Sequence, residues 1–366
     1  MVLRKIGNQM INKIGDINFK EIKRISPSQF CSMKKCAYKS LLAEAFDKKP
    51  LLPISPNAYF GTVLHRMLEL ITKGVIKNLN EFNAEFDKQV RIVEDELQNN
   101  GFGFLIPLQI KLKNFGLKKI QLKKHLRSEP VLLVKTNDVK FYSEKWFESK
   151  DKLIGGKLDL IIENGNDVEI IDFKTGAITQ DFLDDEGEII SDVKTEYKAQ
   201  LKLYAYLYFE NTNNFPTSLS IVDLKKQKFT VEFSQEECET LFEEAKSLLD
   251  KTNNCVRNNS FFANPTVTNC KFCLYRPACV FYQKQLDTVF LSNDVSGKIM
   301  EVKKFQNGNV SVFLQNGQKS LTIKNFSSDE YVELNNSRNK IISIYNLRKE
   351  TVEFVYSVSD TTMVYE

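Results

Sequence analysis

A chain of 366 residues, 42% hydrophobic and 27% charged, is long enough for two or three domains and a full core. Its net charge of +4 neither supports nor excludes a nucleic-acid partner, because a local basic groove is enough for one. No apolar run approaches bilayer length, and the opening stretch MVLRKIGNQMINKIGDINF is charged without an unbroken apolar segment, so the expectation is a cytoplasmic protein with no secretory signal.

Residues 1–20 read as an edge strand or a loosely held lead-in. Ser26-Pro27 then opens a helix that runs through Cys36-Ala37-Tyr38 toward Phe46, with Ser as N-cap and Pro in the first turn. After a Pro50–Pro56 loop, Val63, Leu64, Met67, Leu68 and Ile71 recur at helical spacing and predict a helix over Tyr59–Ile76. Two more helices are expected at 80–98 and 108–128, the second carrying the basic run KLKNFGLKKIQLKKH, either a nucleic-acid contact or a solvated helix face. The pattern then turns to strands: 139–148, 153–162 and 168–174, the last two joined by the turn Asn164-Gly165-Asn166-Asp167. An acidic loop, DFLDDEGEII, leads to an apolar helix over 195–210, strands at 217–224 and 228–233, and a helix over 235–253. A cysteine loop at 270–279 runs into a short helix. Beyond Leu291, strand-like runs at 297–304, 309–315, 319–325, 330–334, 340–346 and 351–357 are separated by turn signals and predict a small all-β barrel or sandwich.

Asp159 lies within the apolar run LDLII, and EIIDFK places Asp172 and Lys174 at the end of the next strand. Residues two apart share one face of a strand, so Asp172 and Lys174 point together and Phe173 points into the core. Pairing across the 164–167 turn brings Asp159 toward Asp172, and two converging carboxylates suit Mg²⁺ or Mn²⁺. Such an ion polarises a phosphodiester and activates water, while Lys174 stabilises developing negative charge. Asp and Lys at strand ends are common, and the tripeptide alone has little specificity. An acid inside an apolar strand, however, pays a desolvation cost that a functional role explains.

Seven cysteines in a chain of this kind argue against a disulfide framework and for metal ligation by the clustered ones. Cys270, Cys273 and Cys279 form a CxxCx5C set on a short loop containing Pro277, and three thiolates require a fourth ligand. Soft sulfur selects Zn²⁺ or an iron–sulfur cluster, and spacing leaves both open. Cys36 and Cys31 are the remote candidates, whereas Cys238 and Cys255 read as ordinary thiols.

GGKLDLII followed by EIIDFKTG resembles the core of the PD-(D/E)XK nuclease superfamily. AQLKLYAYLY resembles its QxxxY helix, here Gln200 and Tyr204, and GTVLHRMLE its GxxxH helix, here His65. SPSQFCSMKKCAYKS resembles the N-terminal segment of the RecB/AddB branch, which includes the CRISPR-associated iron–sulfur exonucleases, although Ala37 stands where that pattern has proline. The resemblance spans about residues 21–285. It implies an α/β, restriction-endonuclease-like core with a mixed sheet flanked by helices. Asp159, Asp172, the Phe173 carbonyl and His65 would be metal ligands, Lys174 the catalytic lysine, and Gln200 and Tyr204 positioning groups. It also implies a [4Fe–4S] cluster on Cys36, Cys270, Cys273 and Cys279, a staple between the N-terminal helix and the end of the core. From the residues alone, His65 competes with a satisfied core histidine and Tyr204 with aromatic packing beside Tyr206 and Tyr208; His125 and Glu144 read as structural.

The expected organisation is a lead-in (1–20), a nuclease domain (21–288) and an OB-like barrel (291–366), with an SH3-like barrel as the alternative. Lys303, Lys304, Phe305, Phe313, Lys324 and Phe326 are its candidates for strand binding, although a barrel core would use the same phenylalanines. The expected function is a Mg²⁺- or Mn²⁺-dependent deoxyribonuclease, an exonuclease on single-stranded or end-containing DNA in repair, recombination or mobile-element defence. The alternative is a non-catalytic DNA-binding module around a structural metal. These residues hold no GxxxxGK[ST] motif, so any unwinding would need a separate helicase.

Overall fold

The computed structural model describes residues 10–72, 74–127, 139–183, 189–286 and 293–366. Strand β1 (Ile11–Asn12) precedes α1 (Pro27–Lys35), α2 (Ala37–Ala45), α3 (Pro56–Thr72), α4 (Leu79–Asn99), α5 (Leu108–Lys111) and α6 (Phe115–Arg127). Then follow β2 (Val139–Glu148), β3 (Gly155–Asn164), β4 (Asp167–Lys174), β5 (Thr179–Leu183), β6 (Ile189–Val193), α7 (Thr195–Thr212), β7 (Ser218–Asp223), β8 (Lys228–Val231) and α8 (Gln235–Arg257). The cysteine segment forms α9 (Val267–Lys271) and α10 (Val280–Leu286). The remainder is β9 (Val295–Lys304), β10 (Val310–Asn316), β11 (Lys319–Phe326), α11 (Tyr331–Asn336), β12 (Ile341–Tyr345), β13 (Arg348–Lys349), β14 (Val355–Ser357) and β15 (Met363–Tyr365).

Among the described residues β2-β3-β4-β7-β8 form one mixed sheet, in which β4 and β7 run parallel and the other neighbours antiparallel. Helix α7 is the crossover between the parallel pair, as parallel strands require. It is buried on most of its circumference, with Gln200, Leu201, Leu203, Tyr204, Ala205, Leu207 and Tyr208 all inside. Its Tyr and Leu accordingly recur on several faces rather than in one stripe, with Lys198 and Lys202 reaching outward to Asp192 and Glu237. Helix α8 is striped instead: Ser234 and Glu237 close a capping box, and Cys238, Phe242, Ala245 and Leu249 bury one face in the same core as β3, β4 and α7. A second core joins α3, α4 and α6 through Phe60, Leu64, Phe82, Phe86 and Leu122.

The continuous helix expected over 26–46 is two helices. Cys36 is extended (φ −163°, ψ 102°), capping the end of α1 and the start of α2. The basic helix expected over 108–128 is also broken, by extended Leu112 between α5 and α6, and residue 128 lies outside the described residues. The acidic loop flanks a strand pair, β5 with β6; its centre, 184–188, lies outside the described residues.

The C-terminal strands form a larger sheet ordered β1-β15-β12-β9-β10-β11-β14-β13 among the described residues. The lead-in thus supplies an edge strand, Ile11 lying beside Val364. The strand expected at 330–334 is helical: Ser327 and Glu330 close a capping box whose signature lies in SSDE. Only Val355–Ser357 of the run 351–357 is strand, because Phe354 turns the chain with φ 59°.

Candidate active site and cysteine pocket

The paired register of β3 and β4 runs from the turn as far as Leu160↔Ile171. Beyond it the Phe173 N–H donates to Asp159 Oδ2 at 2.8 Å, so a side-chain carboxylate does what a ladder carbonyl does elsewhere. On the other side of β3, Ser143↔Leu160 and Lys145↔Leu158 flank a position where Glu144 faces Asp159. Glu144 adopts φ 55°, a left-handed conformation uncommon outside glycine. Helix α3 approaches the same point, and His65 Nε2 lies 3.0 Å from Asp159 Oδ2. Ligand atoms of His65, Glu144 and Asp159 all fall within 4.8 Å of one another. The hydrogen bond to Asp159 raises the His65 pKa against the opposing effect of burial, and the Asp159, Glu144 and Asp172 charges add to it. Glu144 is also paired with Lys157 on β3.

Asp172 is buried beside this group. Its Oδ2 lies 2.7 Å from Lys174 Nζ, and its Oδ1 accepts from Gln200 Nε2 at 3.2 Å. Gln200 in turn accepts from Lys174 Nζ at 3.2 Å and donates to the Tyr204 hydroxyl at 3.4 Å. The Lys174 ammonium stands 4.9 Å from the centre of the Tyr197 ring. Burial raises the Asp172 pKa above the usual carboxylate range, and the Lys174 charge opposes that rise. The shared strand face of Asp172 and Lys174 is what the period-2 reading predicts.

The donor set therefore suits a divalent cation: one imidazole nitrogen and two carboxylates, with a third carboxylate adjacent. His65, Asp159 and Glu144 can hold the ion. Asp172 has both oxygens engaged by Lys174 and Gln200. Phe173 is anchored there through its backbone N–H. Glu144 is the residue that sequence reasoning missed. Tyr204 packs against Gly156: a Cβ there would lie 2.8 Å from the Tyr204 ring and 3.0 Å from Pro27.

Cys36, Cys270, Cys273 and Cys279 line one small pocket with Leu42, Arg276 and Tyr282. Cys31 is not among its walls; its thiol donates to the Glu196 carbonyl at 3.4 Å. Burial and the neighbouring thiols raise the Cys270 pKa to about 11, and burial raises that of Cys279 to about 12. Metal binding at such thiols therefore releases protons. Arg276 braces the loop, its Nη1 donating to the carbonyls of Cys270, Lys271 and Cys273 at 3.0, 3.1 and 2.8 Å. Cys238 is buried in the core, and the Cys255 thiol donates to its own helix at Lys251.

Two lysines of the basic run are held in ion pairs, Lys111 with Asp360 and Lys119 with Asp87. His125 bonds the Leu224 carbonyl. Phe326 is fully buried in the C-terminal core and unavailable for stacking, whereas Phe305 is exposed with Lys303 over its ring. Among the described residues no helix is long and apolar enough to cross a membrane.

The model of the PD-(D/E)XK nuclease superfamily matches residues 24–280. No curated protein matches the chain. Among solved structures, one from Eubacterium rectale, provisionally assigned as an exonuclease, is similar over 72% of this chain and 88% of its own, at 10% identity and a TM-score of 0.43. Another, described as "Structural mimicry for functional antagonism", covers 63% of this chain and 96% of its own, at 6% identity and a TM-score of 0.19. Likeness at these scores carries no argument about this chain.

Proposed function

The chain belongs to the PD-(D/E)XK nuclease superfamily, and from that premise we propose a Mg²⁺- or Mn²⁺-dependent deoxyribonuclease that digests single-stranded or end-containing DNA. The observation that carries this reading is the convergence of His65, Glu144 and Asp159 beside the linked set Asp172, Lys174 and Gln200. When bound, the ion would polarise the phosphodiester and lower the pKa of a water. His65, Glu144 and Asp159 would hold it, with Asp172 within reach. Lys174, fixed by Asp172 and Gln200, places its ammonium where the phosphate gains negative charge. Tyr204 secures the Gln200 amide so that its oxygen faces Lys174 and its nitrogen faces Asp172.

The cysteine pocket we assign to a [4Fe–4S] cluster rather than zinc. Four thiols from two remote segments line the pocket, a soft donor set that both groups accept, and the resemblance of the N-terminal segment to the iron–sulfur branch of the family favours the cluster. Visible absorbance of the anaerobically purified protein tests this, since zinc is colourless.

Residues 21–288 would form the nuclease unit and 291–366 an OB-like unit. Three features support the second assignment: β9-β10-β11 is a meander, β12 returns beside β9, and β14 lies parallel to β11. That order fits a partly open five-stranded Greek-key barrel. Without a nucleotide-driven motor in these residues, a separate helicase would supply opened strands.

The test is cleavage of end-labelled linear single- and double-stranded DNA beside closed circular DNA, with Mg²⁺ or Mn²⁺. Metal-dependent cutting of the linear substrates alone, lost in Lys174→Ala, is the expected result. Cutting of circles would establish internal attack, and no cutting by the parent would leave a DNA-binding module.

A further inference from the structure

Between the catalytic residues and the cysteine pocket lies an open groove of about 280 Å³ that neither site accounts for. Its inner end is Gln200 and Tyr197, the residues that hold Lys174. Its outer end is Phe272, which stands between Cys270 and Cys273 and is 74% exposed. This ring packs little against the protein, while Arg276 holds the backbone on both sides of it through three carbonyls. Lys35 and Lys39 lie on the wall between these ends, and Ser28, Ser32 and Thr268 add hydroxyls. Lys271 stands 5.4 Å from the centre of the Phe272 ring. The acid on the wall, Glu196, lies 3.7 Å from Lys35, which offsets part of its charge.

We infer that this groove is the path of a single nucleic-acid strand, and that Phe272 is the platform on which one of its bases stacks. The inference rests on the nuclease reading and extends it by naming where the strand leaves the catalytic residues. Exposed aromatics combined with a basic track are how proteins bind single strands without reading sequence. A protein segment is the competing occupant. The strand is favoured because the lining carries two lysines and three serine and threonine hydroxyls against one acid, and because it includes Gln200, which bonds Lys174 and Asp172. The cysteine loop then has a second role, which is to hold Phe272 in place.

The experiment uses the full chain and fluorescent oligo(dT) of graded length, with binding measured without divalent metal and cleavage measured with Mn²⁺. Phe272→Ala should weaken binding of long strands about five- to a hundred-fold, Phe272→Trp should restore it, and Lys35→Gln should lower the salt slope of log K by about 0.7. In cleavage, Phe272→Ala should raise KM and leave kcat, and the effect should vanish on strands too short to reach from Lys174. Phe262→Ala, another exposed phenylalanine outside the groove, is the control and should change nothing. If the parent cuts DNA and Phe272→Ala matches it at every length, the strand path is wrong and the nuclease reading stands. If the parent neither binds nor cuts, both fall. A kcat loss without a KM change, with cluster absorbance diminished, would show Phe272 to be structural and overturn the proposal.

Discussion

Glu144 enters the site through a backbone conformation rather than a motif. Its left-handed φ interrupts the strand at the position opposite Asp159 and leaves its carboxylate within ligand distance of His65. Glu144→Gln should therefore lower cleavage at limiting Mn²⁺ about ten- to a hundred-fold, partly recovered at high metal, while Lys174→Ala stays inactive at any metal concentration. Metal titrations of the cleavage rate measure both. The shared face of Asp172 and Lys174 was legible because a strand has period 2, whereas His65, Gln200 and Tyr204 were expected only through the resemblance of their segments to the family's motifs, and from the residues alone His65 and Tyr204 competed with core packing. Glu144 had neither signal, since nothing in YSEKW marks its left-handed φ. His65 gives the site its pH dependence. Its pKa is raised by Asp159, yet it must be neutral at Nε2 to bind a metal. Mn²⁺ affinity should thus fall as pH drops through a value above the ordinary 6.5 or so, and His65→Gln should flatten that slope in calorimetric titrations. Stability of the metal-free protein runs the other way. Both His65 and Asp172 hold protons more tightly folded than unfolded, so their contributions are lost as pH rises through their folded values. The metal-free midpoint of unfolding should fall as pH rises from about 4 to about 6, where Asp172 loses its proton, and fall further above about 6.5 as His65 does, and Mn²⁺ should reverse the fall.

At the scale of elements, the approach of α7 to β3 decides whether Gln200 can reach Asp172. Gly156 permits it, because both atoms that an added Cβ would meet belong to stiff rings, Tyr204 and Pro27. Gly156→Ala should destabilise the fold by about 1–3 kcal/mol in urea and lower kcat by displacing Tyr204 from Gln200. Gly165 is a glycine of a different kind, needed for φ 61° in the turn between β3 and β4, with open space around its Cα. Most elements of residues 21–288 were readable from periodicity and caps. The elements that differ do so for separate reasons. Cys36 leaves the helical region where its thiol turns to the other cysteines, splitting one expected helix into α1 and α2. The segment 330–334 alternates like a strand, yet the Ser327–Glu330 capping box outweighs alternation over so short a run. The parallel pairing of β4 with β7 is a long-range fact that no local pattern encodes.

Across the whole molecule, the cysteine loop is the joint between the N-terminal helices α1 and α2 of the nuclease region and the C-terminal sheet, and Arg276 is its pin. Its guanidinium binds the loop carbonyls on one side and, on the other, Asp294 at 2.7 Å and Asn346 at 2.7 Å. Asp294 also accepts from the Tyr282 hydroxyl at 2.6 Å and from the Asn346 N–H at 2.9 Å. Both charges are almost wholly removed from water, with side-chain exposures of 4% and 0%. Gln283 reaches the Tyr345 hydroxyl, and the Tyr365 hydroxyl reaches back to the Leu51 carbonyl, so the same aromatic core serves loop and sheet. A buried pair of this kind contributes little net stability compared with an apolar replacement, yet removing one partner leaves a charge stranded at a cost of about 3–5 kcal/mol. Asp294→Ala strands Arg276 and should loosen the grip on the Cys270–Cys273 loop at the same time. The expected result is a change in cooperativity. Trp146, the only tryptophan, reports on β2 of the nuclease sheet, and, in a background with Cys31, Cys238 and Cys255 replaced by alanine, thiol reactivity reports on the cysteine pocket. In the parent the two transitions should coincide as denaturant rises. In Asp294→Ala thiol exposure should come first, with the cysteine pocket and C-terminal sheet released while the tryptophan signal holds. Coincident curves in the variant would instead show that the aromatic core alone couples the two sheets and that Arg276 serves the loop only.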